Sequence, residues 1–215
     1  MVTANRKRIG FFGGTFDPIH HGHLILASYA ASSAGLDRLL FAPAALPPHK
    51  DRAITDIAHR TEMLLQAIDR DERFEMTTVD LDRDGPHYSA DTLAILADRF
   101  PGTELFFLMG SDSYRDLPSW HDPMRIFDHA RLLVGKRPNS AFDEEVLWAA
   151  LPPARTRTEF VDIPLIEISS TEIRKRVAEQ LPIDYLVPRR VQDYIEANGL
   201  YLDAVEIGNG RRILD

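Results

Sequence analysis

Short runs of consecutive apolar residues alternate along the chain with longer stretches whose apolar residues recur every three or four positions. The runs fall at 9–12, 39–43, 105–109 and 132–135. A strand without polar alternation is buried on both faces, which requires a parallel sheet covered by helices on each side. The stretches between them, 22–34, 57–68 and 89–100, read as helices. In the last, Leu93, Leu96, Ala97 and Phe100 follow the i, i+3, i+4, i+7 stripe of a helix that buries one side. Strand and helix in alternation predict βαβ units with right-handed crossovers, hence an α/β chain with a doubly wound parallel sheet and helices on both faces. Ligands of such sheets sit beyond the carboxyl ends of the strands. Further on, 139–158 reads as an irregular excursion with a helix at 144–150, and 188–197 as a helix stopped by Gly199. Residues 1–201 are expected to form one domain, with a helical C-terminal part at about 169–201. The tail 202–215 has no clear assignment.

Composition narrows the classes. A chain of 215 residues can bury a core without metals or cross-links. It contains no cysteine, which removes disulfides and thiol catalysis and agrees with a reducing cytoplasm, the expected location. The net charge of −8 argues against a broad basic face for nucleic acid, while leaving room for a local anion site. The start is charged but lacks the apolar stretch of a signal peptide, and no apolar segment is long enough to span a bilayer. No nucleic-acid or membrane partner is expected. The sequence leaves homo-oligomer formation open.

The chemistry concentrates in Gly10-Phe11-Phe12-Gly13-Gly14-Thr15-Phe16-Asp17-Pro18-Ile19-His20-His21-Gly22-His23-Leu24. It reads as the end of a buried strand, a glycine-turned loop and the opening of a helix. Gly13 and Gly14 let a ligand approach the main chain. A helix starting near His21 aims its unpaired N–H groups and positive dipole end at the loop. His20 and His23, three residues apart, add donors on one side of the first turn. Such a set suits phosphates. Two other readings stay open for these residues alone: a metal site built on the three histidines, and purely structural use of the glycines and imidazoles. There is no G-x-x-x-x-G-K-S/T loop, no G-x-G-x-x-G after the first strand and no protein-kinase motif set, so a nucleotide would be gripped by another device.

A second candidate anion site lies at Ile168-Ser169-Ser170-Thr171-Glu172-Ile173-Arg174-Lys175-Arg176. Ser169 and Glu172 have capping-box spacing, which starts a helix there. Its amides, the hydroxyls of Ser170 and Thr171, and Arg174 one turn on can bind an anion. By itself the segment also reads as an ordinary cap beside a solvated basic face.

Together, His20-x-Gly22-His23 and Ser170-x-x-x-Arg174 resemble the H-x-G-H and S-x-x-x-R signatures of the nucleotidylyltransferase superfamily. Within it, Gly13-Gly14-Thr15-Phe16-Asp17-Pro18-Ile19-His20 resembles the bacterial nicotinate mononucleotide adenylyltransferases. The likeness continues through Pro47-Pro48-His49-Lys50, Tyr88-Ser89-Ala90-Asp91-Thr92-Leu93, Gly110-Ser111-Asp112, Trp120, Arg137-Pro138 and Tyr185-Leu186-Val187-Pro188. The resemblance implies a Rossmann-like sheet of the nucleotidylyltransferase type and an enzyme of NAD biosynthesis. Its reaction would join ATP and nicotinate mononucleotide into nicotinate adenine dinucleotide, releasing pyrophosphate, with Mg²⁺ entering on ATP and no metal held by the protein itself.

By the same resemblance His20, His23 and Arg174 are the catalytic residues. ATP is expected to meet Gly13, Gly14, Thr15, Phe16, His20, His23, Lys50, Gly110, Asp112, Ser170, Thr171 and Arg174, with Asp112 accepting from a ribose hydroxyl. The acceptor is expected at Tyr88, Ser89, Trp120 and Arg137. The chain departs from the family pattern at Ala44-Ala45-Leu46, where an Asn is usual before Pro-Pro-His. It also has Ser89 for the more usual Thr, and Pro86-His87 in place of a smaller, more polar pair. The competing functions are the same transfer to nicotinamide mononucleotide or to another phosphate acceptor such as phosphopantetheine, and an ATP-binding module without catalysis.

Overall fold

The computed structural model describes residues 6–45, 54–136 and 144–202. In chain order these form β1 (Arg8–Gly14), α1 (His21–Ser33), β2 (Arg38–Pro43), α2 (Ile57–Ile68), β3 (Phe74–Met76), α3 (Ser89–Arg99), β4 (Glu104–Gly110), α4 (Ser111–Asp116), α5 (Pro123–His129), β5 (Arg131–Lys136), α6 (Glu144–Ala150), α7 (Ala154–Arg157), β6 (Thr158–Asp162), α8 (Ser170–Ala178) and α9 (Arg189–Ala197). The strands make one six-stranded sheet in the order β3-β2-β1-β4-β5-β6, with every pairing parallel. The chain winds outward from β1 to β3, returns to the centre and winds outward again from β4. The expected doubly wound α/β architecture is therefore present, and its topological switch point lies between β1 and β4.

The apolar runs form the four central strands because alternate residues face different cores. Phe12, Phe41, Phe106, Leu108 and Leu133 pack under α1, α2, α8 and α9. Their neighbours Phe11, Leu40, Phe107, Met109 and Leu132 pack under α3, α5 and α6. Ile173 of α8 and Val191 and Ile195 of α9 belong to the first core, so these two helices pack on the same core as α1 and α2. Residues 203–215, nearly all of the unassigned tail, lie outside the described residues. Among the described residues no helix is long and apolar enough to cross a membrane.

The two edge strands are absent from the apolar pattern. β3 has three residues, Phe-Glu-Met, and β6 reads Thr-Glu-Phe-Val-Asp, starting at Thr158, the last residue of the stretch expected to be irregular. Short edge strands that carry charge resist pairing with another chain. Glu75 of β3 pairs with Arg38 of β2, and Glu159 of β6 with Arg131 of β5, the latter at 3.0 Å.

Close packing of one face depends on a glycine inside β1. A Cβ on Gly10 would lie 2.5 Å from Leu39 Cδ1 and 2.6 Å from Leu36 Cδ1, both buried. Gly10→Val is therefore expected to overpack this core and cost about 1–3 kcal/mol. Urea denaturation checks it: the midpoint falls while the slope stays unchanged.

Candidate active site

The site is built where β1 and β4 end side by side. After Gly14 the chain turns sharply, with Phe16 at φ +47° and its ring folded into the core against Phe12 and Phe41. Only glycine at position 14 permits this, since a Cβ there would lie 2.8 Å from the Phe16 ring. Phe16 is thus a wall of the site packed from behind.

His20 is the N-cap of α1 and His23 its third residue. The His23 N–H donates to His20 Nδ1 at 3.4 Å and the His20 N–H donates to His23 Nδ1 at 3.3 Å, a capping box made of two imidazoles. The rings stack with centroids 3.7 Å apart and planes 23° apart. Each Nδ1 accepts a main-chain proton, so the neutral rings carry their own protons on Nε2. Gly22 explains its place in the motif: a Cβ would meet His20 Nδ1 at 3.0 Å and the Ile168 carbonyl at 3.4 Å.

That Ile168 contact brings in the second segment. Ser169 caps α8 by accepting from the Glu172 N–H at 3.2 Å, as the spacing predicts. Ser170 Oγ donates to the Pro18 carbonyl at 2.9 Å. The start of α8 is thereby fastened to the loop leading into α1. Both helix N-termini open on one cleft of about 390 Å³, lined by Gly13, Gly14, Phe16, His20, His23, Gly110, Asp112, Ser169 and Ser170, with an apolar wall from Ile25, Ile163, Ile166 and Ile168. Two positive helix ends, two imidazole donors and the serines opening α8 on one concavity make a site for a polyanion with an apolar appendage.

Comparison with known proteins agrees with this geometry. A family model described as cytidylyltransferase-like matches residues 11–176. A probable nicotinate-nucleotide adenylyltransferase from Thermomicrobium roseum is 49% identical, covering 91% of this chain and 92% of its own. The nicotinate-nucleotide adenylyltransferase of Bacillus subtilis is 41% identical, over 91% of this chain and 98% of its own. The chain belongs to the nicotinate-nucleotide adenylyltransferase family. The fold agrees: the Plasmodium falciparum nicotinic acid mononucleotide adenylyltransferase complexed with NaAD superposes with a TM-score of 0.76 at 22% identity, over 93% of this chain and 100% of that one.

Within this adenylyltransferase family fold the expected site residues divide into groups. Gly13, Gly14, Phe16, His20, His23, Gly110, Asp112 and Ser170 line the cleft. Asp112 is exposed there, 3.3 Å from Arg115. Thr15, Thr171 and Arg174 are not among the lining residues. Arg174 was expected to face the ligand, yet it is only 5% exposed. Its Nη1 donates to the Asp17 carbonyl at 2.8 Å and its Nη2 to Thr171 Oγ1 at 3.2 Å. In this structure its guanidinium clamps α8 to the glycine loop. Lys50 and Arg137 lie outside the described residues.

Tyr88, Ser89 and Trp120 sit at the other core. Tyr88 is the N-cap residue of α3, makes no side-chain cap and stacks on His121 with centroids 3.9 Å apart. Trp120 packs toward Phe107 of β4 with ring centroids 6.1 Å apart. His21 turns away from His20 and His23 into a separate cavity of about 360 Å³ with Leu24, Ser28 and Phe74. Burial lowers its pKa below the ordinary imidazole value, against the opposing effect of a hydrogen bond with the Val187 main chain. The three histidines therefore do not converge as a metal triad would.

Two residues that the motifs left out hold the loop in place. Arg60 of α2 is 1% exposed and donates to the Thr15 carbonyl at 2.8 Å. The sequence carries a signal for it, because Arg60 falls on the buried stripe with Met63 and Leu64. Tyr201 donates its hydroxyl to Asp17 Oδ1 at 2.9 Å, and Asp17 is 1% exposed. Burial, followed by the Asp17 charge, pushes the Tyr201 phenol far above its ordinary pKa, so it remains a donor. Nothing in the sequence near Tyr201 announces this contact. Tyr201→Phe removes the donor while keeping the ring, and is expected to cost about 1–3 kcal/mol, the scale for weakening the solvation of a buried charged acceptor. Thermal and urea unfolding measure it.

Proposed function

We infer that the protein transfers the adenylyl group of ATP to nicotinate mononucleotide, giving nicotinate adenine dinucleotide and pyrophosphate. The observation that carries this reading is the convergence of the α1 and α8 N-termini on the cleft at the β1/β4 switch point, with both imidazoles facing it. The mononucleotide phosphate attacks the α-phosphorus in line, so no side chain acts as nucleophile. Catalysis consists of holding the two phosphates in line and stabilising charge on the transferring group and the leaving pyrophosphate. His20 and His23 supply Nε2–H donors to the phosphates, with His23 on the α-phosphate. Ser170 and the amides opening α8 face the outer phosphates. Arg174, held on the Asp17 carbonyl, keeps those amides aimed at the cleft.

Among the described residues Asp112 is the only acid lining the cleft, and it is assigned to a ribose hydroxyl. One carboxylate does not make a resident metal site, whereas Mg²⁺ commonly binds through substrate phosphates while keeping several waters. The donor set fits a Mg²⁺ that enters on the triphosphate, where it would neutralise phosphate charge. Among the described residues no group of three His, Asp or Glu side chains could hold a metal.

For the acceptor, the uncapped start of α3 at Tyr88 and Ser89 offers main-chain N–H groups to the pyridine carboxylate, and a neutral amide would gain less from that helix end. Thr92 Oγ1 fixes this turn by lying 3.2 Å from the Tyr88 carbonyl and 2.7 Å from Asp80, with Arg83 2.8 Å away on its other side. Ser in place of Thr at 89 leaves this main-chain recognition intact. Trp120 stacks on the pyridine ring, and Arg137 is the expected cation beside it.

The test is incubation with ATP, Mg²⁺ and each mononucleotide in turn, with mass analysis of the product. Nicotinate adenine dinucleotide should form preferentially. Preference for the nicotinamide form would replace the acceptor, and absence of both pyrophosphate and dinucleotide would leave a binding module. His23→Ala is expected to lower kcat about 100-fold or more, the scale for losing a preorganised donor. Circular dichroism should show the fold retained.

A further inference from the structure

Arg60 is the bulkiest fully buried side chain among the described residues. Its guanidinium is surrounded by main-chain carbonyls: Nε donates to Thr55 at 2.9 Å, Nη1 to Thr15 at 2.8 Å and Ala44 at 2.9 Å, and Nη2 to Ala45 at 3.5 Å. These acceptors come from three places, the glycine loop after β1, the end of β2 and the approach to α2. A buried guanidinium is expensive unless its donors are met, and its planar fork suits several acceptors at fixed angles. The Ala44 N–H donates to the Gly14 carbonyl at 2.9 Å, so the glycine loop meets the end of β2 directly as well as through Arg60.

We propose that Arg60 is a positioning residue for ATP, acting through the Thr15 carbonyl on the glycine loop; this rests on the reading of the cleft as the ATP site. Arg60 does not line the cleft. Holding the Thr15 carbonyl fixes the Thr15–Phe16 peptide plane, and with it the direction of the loop's N–H groups and the seat of the Phe16 ring that forms one wall. Trp120 of the expected mononucleotide site packs against the other core, so the bond to Thr15 bears on the ATP side. A buried cation that served only to stabilise the fold would treat both substrates alike.

The experiment compares the full-length protein with Arg60→Lys, which keeps the charge but cannot span several carbonyls, and with Arg60→Gln as a second variant. Binding of a non-hydrolysable ATP analogue is measured by calorimetry, alongside KM for each substrate and the melting temperature. The proposal expects analogue Kd and ATP KM to rise about tenfold or more, as for a displaced binding loop. The KM for mononucleotide should stay within about twofold of the unaltered protein, because that site lies on other elements. Equal rises in both KM values, unchanged ATP affinity beside a lowered melting temperature, or failure of both variants to fold would overturn it by reducing Arg60 to a stability element. Failure of the unaltered protein to bind the analogue would overturn the cleft reading itself, and is seen before any variant is made.

Discussion

The cleft exists because a loop near one end of the chain is fastened to residues far along it. Arg174 donates to the Asp17 carbonyl across 157 positions, and Ser170 to the Pro18 carbonyl across 152. Tyr201 reaches Asp17 Oδ1 across 184. Each bond is ordinary in strength, yet each engages a buried polar group of the loop, and such groups are costly to leave unsatisfied. The parallel sheet sets the distance over which these bonds can form. Strand order puts β1 at the centre, and the helices following β6 return over the same face as α1.

The division of labour between the two faces follows from strand geometry. Adjacent residues on one strand serve different cores, so Phe12 backs the side carrying α1 and α8 while Phe11 backs the side carrying α3 and Trp120. Gly13, Gly14 and Gly110, ending β1 and β4, keep side chains out of the cleft at the sheet's carboxyl edge.

The central fold was legible in the sequence because burial on two faces leaves uninterrupted apolar runs. The helices at 57–68 and 144–150 appear over the residues expected. β3 and β6 were not legible, since an edge strand needs neither length nor a full apolar run and instead shows Glu75 and Glu159 to Arg neighbours. At the cleft, His20, His23 and Ser169 could be read because the bonds between them and their helix starts are local, set by spacing within one helical turn. The burial of Arg174 and the hold of Arg60 and Tyr201 depend on contacts between distant segments. A basic residue one turn into a helix looks the same in sequence whether it faces solvent or a carbonyl. Only Arg60 left a trace, a charge on an apolar stripe.

The paired imidazoles have a consequence for the opening of α1. With each Nδ1 engaged by a main-chain N–H, neither ring can rotate without giving up its half of the cap, so the two imidazoles and the helix end form one unit. A change at either position is therefore felt at the other.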